Sequence, residues 1–258
     1  MSTKLTIGYS VLRERIQNIT PPVERPDWET VIVVQNPGEK SWQLADFPKL
    51  KGREDLSAEE LQSIGVAKSR TRAIWLAKGE YLVFADDDIV FNEDALEAAI
   101  SYLDSNPKLS LLLTQASDPS GNLRKQYPKS ETKLGLLNSA RAATYEMIIR
   151  VDAVRQFGVV FDENFGAGSE NYLGDEYIFI ADLLRAGGKG EFVPITIATH
   201  PEVSSGSGWG TDRDRIARAR VFNRVFGWLA PLVRLAFGLR RLGELGGTKN
   251  LLRFVLAR

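Results

Sequence analysis

Over the first 115 residues, short apolar runs alternate with stretches whose apolar positions recur at helical spacing. Leu5-Thr6-Ile7-Gly8-Tyr9 reads as a first strand. The β-branched run Thr30-Val31-Ile32-Val33-Val34 reads as a second, stopped by the turn signal Gln35-Asn36-Pro37-Gly38. Residues 40–54 carry no period and read as loop. Ser57-Ala58-Glu59-Glu60 has the form of a capping box and predicts a helix start, with an interruption near Gly65. Val66, Ala73, Ile74 and Ala77 then share one apolar face, and Gly79 suits the stop. Tyr81 to Ala85 is unbroken apolar sequence, the mark of a strand buried on both faces inside a parallel sheet. Asn92 is placed to cap the next helix, with Glu93 and Asp94 in its first turn and Leu96, Ile100 and Leu103 facing inward. Leu109 to Thr114 reads as another buried strand. This alternation predicts an α/β fold with a mainly parallel sheet flanked by helices.

The middle of the chain is less periodic. Ala142 to Val151 is predicted as a strand and Asp152 to Phe157 as a short helix. Phe161 to Ser169 is a glycine-containing loop with acids and aromatics. Gly174-Asp175-Glu176 opens a helix with Ile180, Leu183 and Leu184 inward, and Glu191 to Ile197 reads as the last strand. His200-Pro201 follows, and then Ser204 to Gly210, read as a flexible segment. From Asp212 the pattern is helical to the end. We therefore expect two parts, residues 1–210 and a C-terminal helical extension, residues 211–258.

Charge changes this picture only at the end. The chain of 258 residues holds 33 basic and 33 acidic side chains. From Thr211 onward there are 11 Lys and Arg against 3 Asp and Glu, which leaves 22 against 30 in the rest. A basic extension on an acidic body points to an anionic partner. Trp228, Leu229, Leu232, Leu235 and Phe237, interleaved with Arg234, Arg240 and Arg241, have the composition of an amphipathic helix lying on an anionic membrane surface. A helix packed on the body of the protein or in a homo-oligomer contact is the competing use. No nucleic-acid motif is present. No run reaches the ~20 apolar residues of a membrane span. The start, Met1-Ser2-Thr3-Lys4, lacks a signal-peptide core, and there is no cysteine, so a reducing, cytoplasmic compartment is expected.

The chemistry concentrates where the Tyr81 strand ends in Asp86-Asp87-Asp88. Adjacent carboxylates repel, and delivering them at a strand's C-terminal end calls for a cation there. That end is also where ligands bind in open α/β sheets. With no cysteine and His200 as the single histidine, a metal must rely mainly on oxygen ligands, which favours magnesium, manganese or calcium. Asp86 and Asp88 share one side if the extended geometry continues. Arg70 and Arg72 are candidates for bidentate contacts to a nucleotide or phosphate. Asp175 and Glu176 sit where a helix dipole favours acids, and a carboxylate in a cleft suffices as a general base.

Four pieces together resemble the glycosyltransferase family 2 enzymes, which have the Rossmann-like GT-A fold. They are Ser69-Arg70-Thr71-Arg72, Gly79 to Asp88, Phe161-Asp162-Glu163-Asn164-Phe165-Gly166, and Gly174-Asp175-Glu176 with Phe179 and Gly187. The resemblance spans roughly residues 1–205. Ala73 stands where the family often has asparagine, and the family's usual Glu-Asp pair is Asp175-Glu176 here. The resemblance implies a divalent cation, manganese or magnesium, held by Asp88 with Asp86 and His200. It places Asp86 and Asp87, with Arg70 and Arg72, at a nucleoside-diphosphate sugar. It makes Glu176 the base, with Asp175 as its neighbour or substitute. The implied reaction is inverting sugar transfer to a hydroxyl of a glycan or lipid-linked acceptor, in surface polysaccharide synthesis. Two rivals remain: a nucleotidyltransferase, whose glycine-rich basic loop is missing from residues 8–20, and a nucleotide-sugar-binding protein without turnover.

Overall fold

The computed structural model describes residues 2–38, 40–201 and 211–257. Ser204 to Gly210, read above as a flexible segment, lies outside them. Among the described residues, nine strands form one mixed sheet in the order β3-β2-β1-β4-β8-β6-β9-β5, with β7 added against β9. The strands are β1 (Leu5–Leu12), β2 (Trp28–Gln35), β3 (Leu56–Leu61), β4 (Tyr81–Ala85), β5 (Val90–Phe91), β6 (Leu111–Ser117), β7 (Thr132–Lys133), β8 (Met147–Arg150) and β9 (Gly190–Thr199). The first four in the sheet run parallel, as do β6 and β9, while β8 lies antiparallel between β4 and β6.

Alternation along β4 explains its unbroken apolar sequence. Tyr81, Val83 and Ala85 enter the core under helix α2 (Glu93–Ser105), beside Leu96, Ile100 and Leu103. Leu82 and Phe84 enter the opposite core, under α1 (Val66–Leu76), α3 (Val151–Phe157) and α4 (Asp175–Arg185). Asn92 caps α2 as expected, accepting from the Ala95 N–H at 3.0 Å.

Three predicted elements differ. Residues 57–60 do not start a helix; they lie in β3, paired with β2 from Thr30↔Leu56 to Gln35↔Leu61. The open edge of β2 offers a ladder, and Glu59 and Glu60 bind Arg72 and Asn36 instead of capping a helix. Gly79 is not the stop of α1, which ends at Leu76. A Cβ at Gly79 would lie 2.6 Å from the Thr6 nitrogen, so glycine is required where the chain crosses β1. The strand expected from Ala142 begins only at Met147. Before it, a 3₁₀ turn (Thr144–Glu146) buries Glu146, which accepts from the Tyr127 hydroxyl at 2.6 Å and pairs with Lys125 at 2.9 Å.

The C-terminal residues form α5 (Asp212–Phe226), α6 (Ala230–Arg240), α7 (Leu242–Leu245) and α8 (Thr248–Leu256). Val221 and Val225 of α5 pack with Tyr177, Ile178 and Ala181 of α4. Arg224 pairs with Asp162 and Asp182. The other side of α5 shares a core with α6 and α8 through Phe222, Leu251 and Phe254. Two residues expected to face a membrane turn inward. Phe237 packs on Phe222, and Arg234 is buried, donating to the Ala257 carbonyl at 2.6 Å. Trp228, Leu229, Leu232, Leu235 and Leu239 remain exposed.

Candidate active site

Because β1, β2 and β4 run parallel, the residues after each strand meet at one edge of the sheet. They open there onto a cavity of about 820 Å³. Asp86, Asp87 and Asp88 leave β4 into it. Ile89, fully buried, anchors the turn, and its N–H donates to the Asp86 carbonyl at 3.3 Å. β5 then pairs with the end of β9, Val90 opposite Thr199, which sets His200 beside Asp88. Asp175 and Glu176 reach the same cavity from the first turn of α4.

Arg70 ties the two acidic groups together. It is buried on α1 and donates to Asp175 at 2.5 Å and to Asp86 at 3.1 Å. Burial works against its charge, but Asp175, Asp86 and Glu176 outweigh that and raise its pKa. Gly166 makes room for this pair. Its φ is +92°, and a Cβ there would lie 2.7 Å from the Asp175 carboxylate. Arg72, expected at the nucleotide, does not reach the cavity. Two residues rotate a helix by about 200°, so it points away from Arg70 and binds Glu59 of β3 at 2.5 and 2.7 Å.

The two carboxylates of α4 are differently placed. Asp175 is 2% exposed and fixed to Arg70. Glu176 is only half-buried and lines the cavity, with the Thr144 hydroxyl 3.5 Å away. Burial, and then the neighbouring Asp175 charge, push Glu176 up to about 8, against the opposing pull of Arg70.

Asp87 is turned into the wall, where it accepts from Arg15 at 2.8 Å and Asn18 at 3.0 Å. Asp88 has one buried oxygen, Oδ1, with no hydrogen-bond partner among the described residues. That oxygen faces His200 Nε2 at 3.7 Å, too far for a hydrogen bond. The His200 ring stacks on Tyr145 with centroids 4.9 Å apart, and its Nδ1 lies 2.5 Å from the Pro201 carbonyl. A carbonyl only accepts, so Nδ1 carries a proton and, in the neutral ring, Nε2 presents its lone pair toward Asp88. An orphaned carboxylate oxygen and an imidazole nitrogen facing one gap fit a divalent cation. Among the described residues no group of three or more such side chains is arranged to hold a metal.

Arg15, Thr144 and Tyr145 also line the cavity and were not singled out from the sequence. Arg15 carried a signal. It follows β1 as the aspartates follow its parallel neighbour β4, so both segments fall at the same edge. Arg218, Phe222, Phe237 and Arg241 of the C-terminal region also line it.

Comparison with known proteins gives several likenesses. The chain is 25% identical over 125 residues to the uncharacterized glycosyltransferase MJ1057 of Methanocaldococcus jannaschii, a match covering 47% of this chain and 43% of that protein. The chain thus spans less than half the length of that relative. In fold it is similar to S. aureus TarS 1–349 in complex with UDP, with TM-score 0.58 and 16% identity over 93% of this chain and 72% of that one. The same protein in complex with UDP-GlcNAc gives TM-score 0.57 and 15% identity over 98% and 82%. The sequence pattern described as Glycosyl transferase family 2 matches residues 9–158, more than half of the chain, from within β1 to just past α3. This chain therefore belongs to glycosyl transferase family 2.

Proposed function

We propose that this protein transfers a sugar from a nucleoside-diphosphate sugar to an acceptor hydroxyl with inversion, using Glu176 as general base. The observation that carries the reading is the joint held by Arg70. It binds Asp86, after β4, to Asp175, which adjoins Glu176 in the lining of the same cavity. Donor and base are thereby held in fixed relation, the positioning that displacement chemistry needs. Glu176, pushed up to about 8, is a stronger base than an ordinary carboxylate, and its base form grows as pH rises toward that value. The acceptor oxygen attacks the anomeric carbon, its proton passes to Glu176, and the bond from that carbon to the diphosphate breaks with its electron pair on the leaving oxygen. Asp175 stays paired to Arg70 and holds the first turn of α4 in place.

Asp88 and His200 would hold manganese or magnesium, with Asp86 close by on the nucleotide side. A divalent cation bound there supplies Lewis-acid neutralisation of the departing diphosphate. Ser10 and Gln35, at the ends of β1 and β2, line the same edge and serve the nucleoside. UDP in the TarS complexes makes uridine nucleotides the first donors to test.

Residues 211–258 form an extension seated on α4 through α5, and we assign it to an anionic membrane surface at the cytoplasmic face. Leu232, Leu235, Ala236 and Leu239 recur at helical spacing on the exposed side of α6, next to Trp228. Arg240 is exposed beside them. The described residues contain no helix long and apolar enough to cross a membrane, so this face would lie on the surface. A lipid-linked acceptor in surface polysaccharide synthesis fits that placement.

The test is a screen of UDP-sugars with manganese or magnesium, reading released UDP, for the natural chain and for Glu176→Gln. Metal-dependent release that Glu176→Gln lowers by about 10²-fold or more supports the reading. Release that this variant leaves unchanged contradicts it.

A further inference from the structure

Arg15 holds a position in the cavity that neither fold nor family assigns. It lies on the 3₁₀ helix (Arg13–Asn18) that leads out of β1, and its side chain is half exposed at the cavity wall. Its Nε donates to Asp87 Oδ2 at 2.8 Å, and Asn18 donates to the same oxygen at 3.0 Å. Asp87 itself is 7% exposed, so its charge is spent within the wall. One terminal nitrogen of Arg15 lies 3.7 Å from Asp88 Oδ2, within ion-pair range but beyond a hydrogen bond. The other oxygen of Asp88 faces His200. The Asp88 carboxylate thus stands between a guanidinium on one side and the candidate cation gap on the other.

A guanidinium tethered through Nε keeps two terminal nitrogens in a planar fork, the geometry that matches two phosphate oxygens. We propose that Arg15 binds the diphosphate of the donor and that Asp87 serves to hold Arg15 in place for it. The inference rests on the nucleotide-sugar reading above. When the bond between sugar and diphosphate breaks, the electron pair stays on the phosphate oxygen, and Arg15 stabilises that added charge without giving up a proton. It also gives the middle aspartate a different task from its neighbours. Asp86 meets Arg70 and Asp88 meets His200, whereas Asp87 positions a cation contributed by another strand end.

Calorimetric titration of the full chain with UDP and with uridine, in manganese, tests this. Arg15→Met keeps the apolar stem and removes the charge, and the exposed site makes a folding defect easy to check by thermal melting. A charged hydrogen bond lost from the diphosphate should weaken UDP binding by about 10-fold or more, with uridine changed by less than about 3-fold. Arg15→Lys should restore part of the loss. Asp87→Asn should weaken UDP with the same selectivity, by a smaller factor. Equal weakening of UDP and uridine would mean that Arg15 only shapes the nucleoside pocket, and the proposal fails. Unchanged UDP binding also overturns it. Tighter UDP binding does so too, because Arg15 would then be a mere counter-ion that competes for Asp88. If the natural chain binds neither UDP, GDP nor dTDP, the nucleotide-sugar reading itself falls and takes this proposal with it.

Discussion

The strand-end site and the C-terminal helices handle charge and apolar surface in opposite ways. At the site, charged groups are buried and matched: Arg70 is 6% exposed and Asp175 is 2% exposed, 2.5 Å apart. In the C-terminal helices, several large apolar side chains stay in solvent, with Trp228 at 85% and Leu232 at 64% exposure. Each arrangement is costly for an isolated folded chain. Buried charges must stay paired, and apolar surface left in water forgoes burial. The donor and the membrane surface proposed above would offset these two costs, the first at the site and the second on α6.

Breaking the site should give the largest effects. Asp88→Ala is expected to abolish transfer and the metal dependence of nucleotide binding with the fold intact, read by UDP release and by titration with and without manganese. Unchanged metal dependence would remove Asp88 from the cation. Arg70→Met strands Asp175 as a buried unpaired charge. It should therefore cost about 3–5 kcal/mol of stability as well as activity, measured by urea unfolding.

The two sides of the C-terminal helices sharpen the comparison further. Phe222→Ala, in the core shared by α5, α6 and α8, should destabilise by about 3–5 kcal/mol. The double change Leu232→Glu with Leu235→Glu, on the exposed side, should alter stability by no more than about 0.5 kcal/mol. It should nonetheless abolish flotation with anionic vesicles, which the natural chain is expected to show and to lose in high salt. A natural chain that ignores such vesicles, or a double variant that floats as well as its parent, would return this face to protein packing.

Smaller again is a pH effect on stability. Burial and the Asp175 charge push Glu176 up to about 8 from an ordinary 4.5, so between those values the folded state holds a proton that the unfolded chain has released. Ionising it works against the fold. Its penalty is absent below about pH 4.5, grows as pH rises, and levels off above about 8. Glu176→Gln should flatten that part of the stability profile. A profile identical in both proteins would show that Glu176 is not perturbed in this way.

The same contrast explains what was legible in the sequence. β4 and α2 were readable because their side chains follow one period and both are buried by their immediate neighbours. That Asp86, Asp88, Asp175 and Glu176 line one cavity was legible because motif spacing along the chain is a local property. The residues 57–60 were misread because their capping-box signal is local, while the free edge of β2 that recruits them is not. Arg72 was placed wrongly through motif membership, although helical rotation alone separates it from Arg70. Arg234 and Phe237 turn inward because the core of α5 and α8 takes them, and nothing in the α6 sequence records that core. Arg15 went unnoticed because its role depends on two strand ends meeting at the same edge.

The central claim, that Glu176 is the base in a cavity where Arg70 fixes donor and acceptor sides together, is tested most directly by one paired measurement on Glu176→Gln. UDP affinity by calorimetry and turnover by UDP release are read on the same preparation, across pH 6 to about 9. The account predicts UDP affinity within about 3-fold of the natural chain and turnover lower by about 10²-fold or more. The natural enzyme's rise in rate toward the Glu176 value of about 8 should be missing. Full turnover in this variant, or the same rising pH profile without the carboxylate, would contradict it.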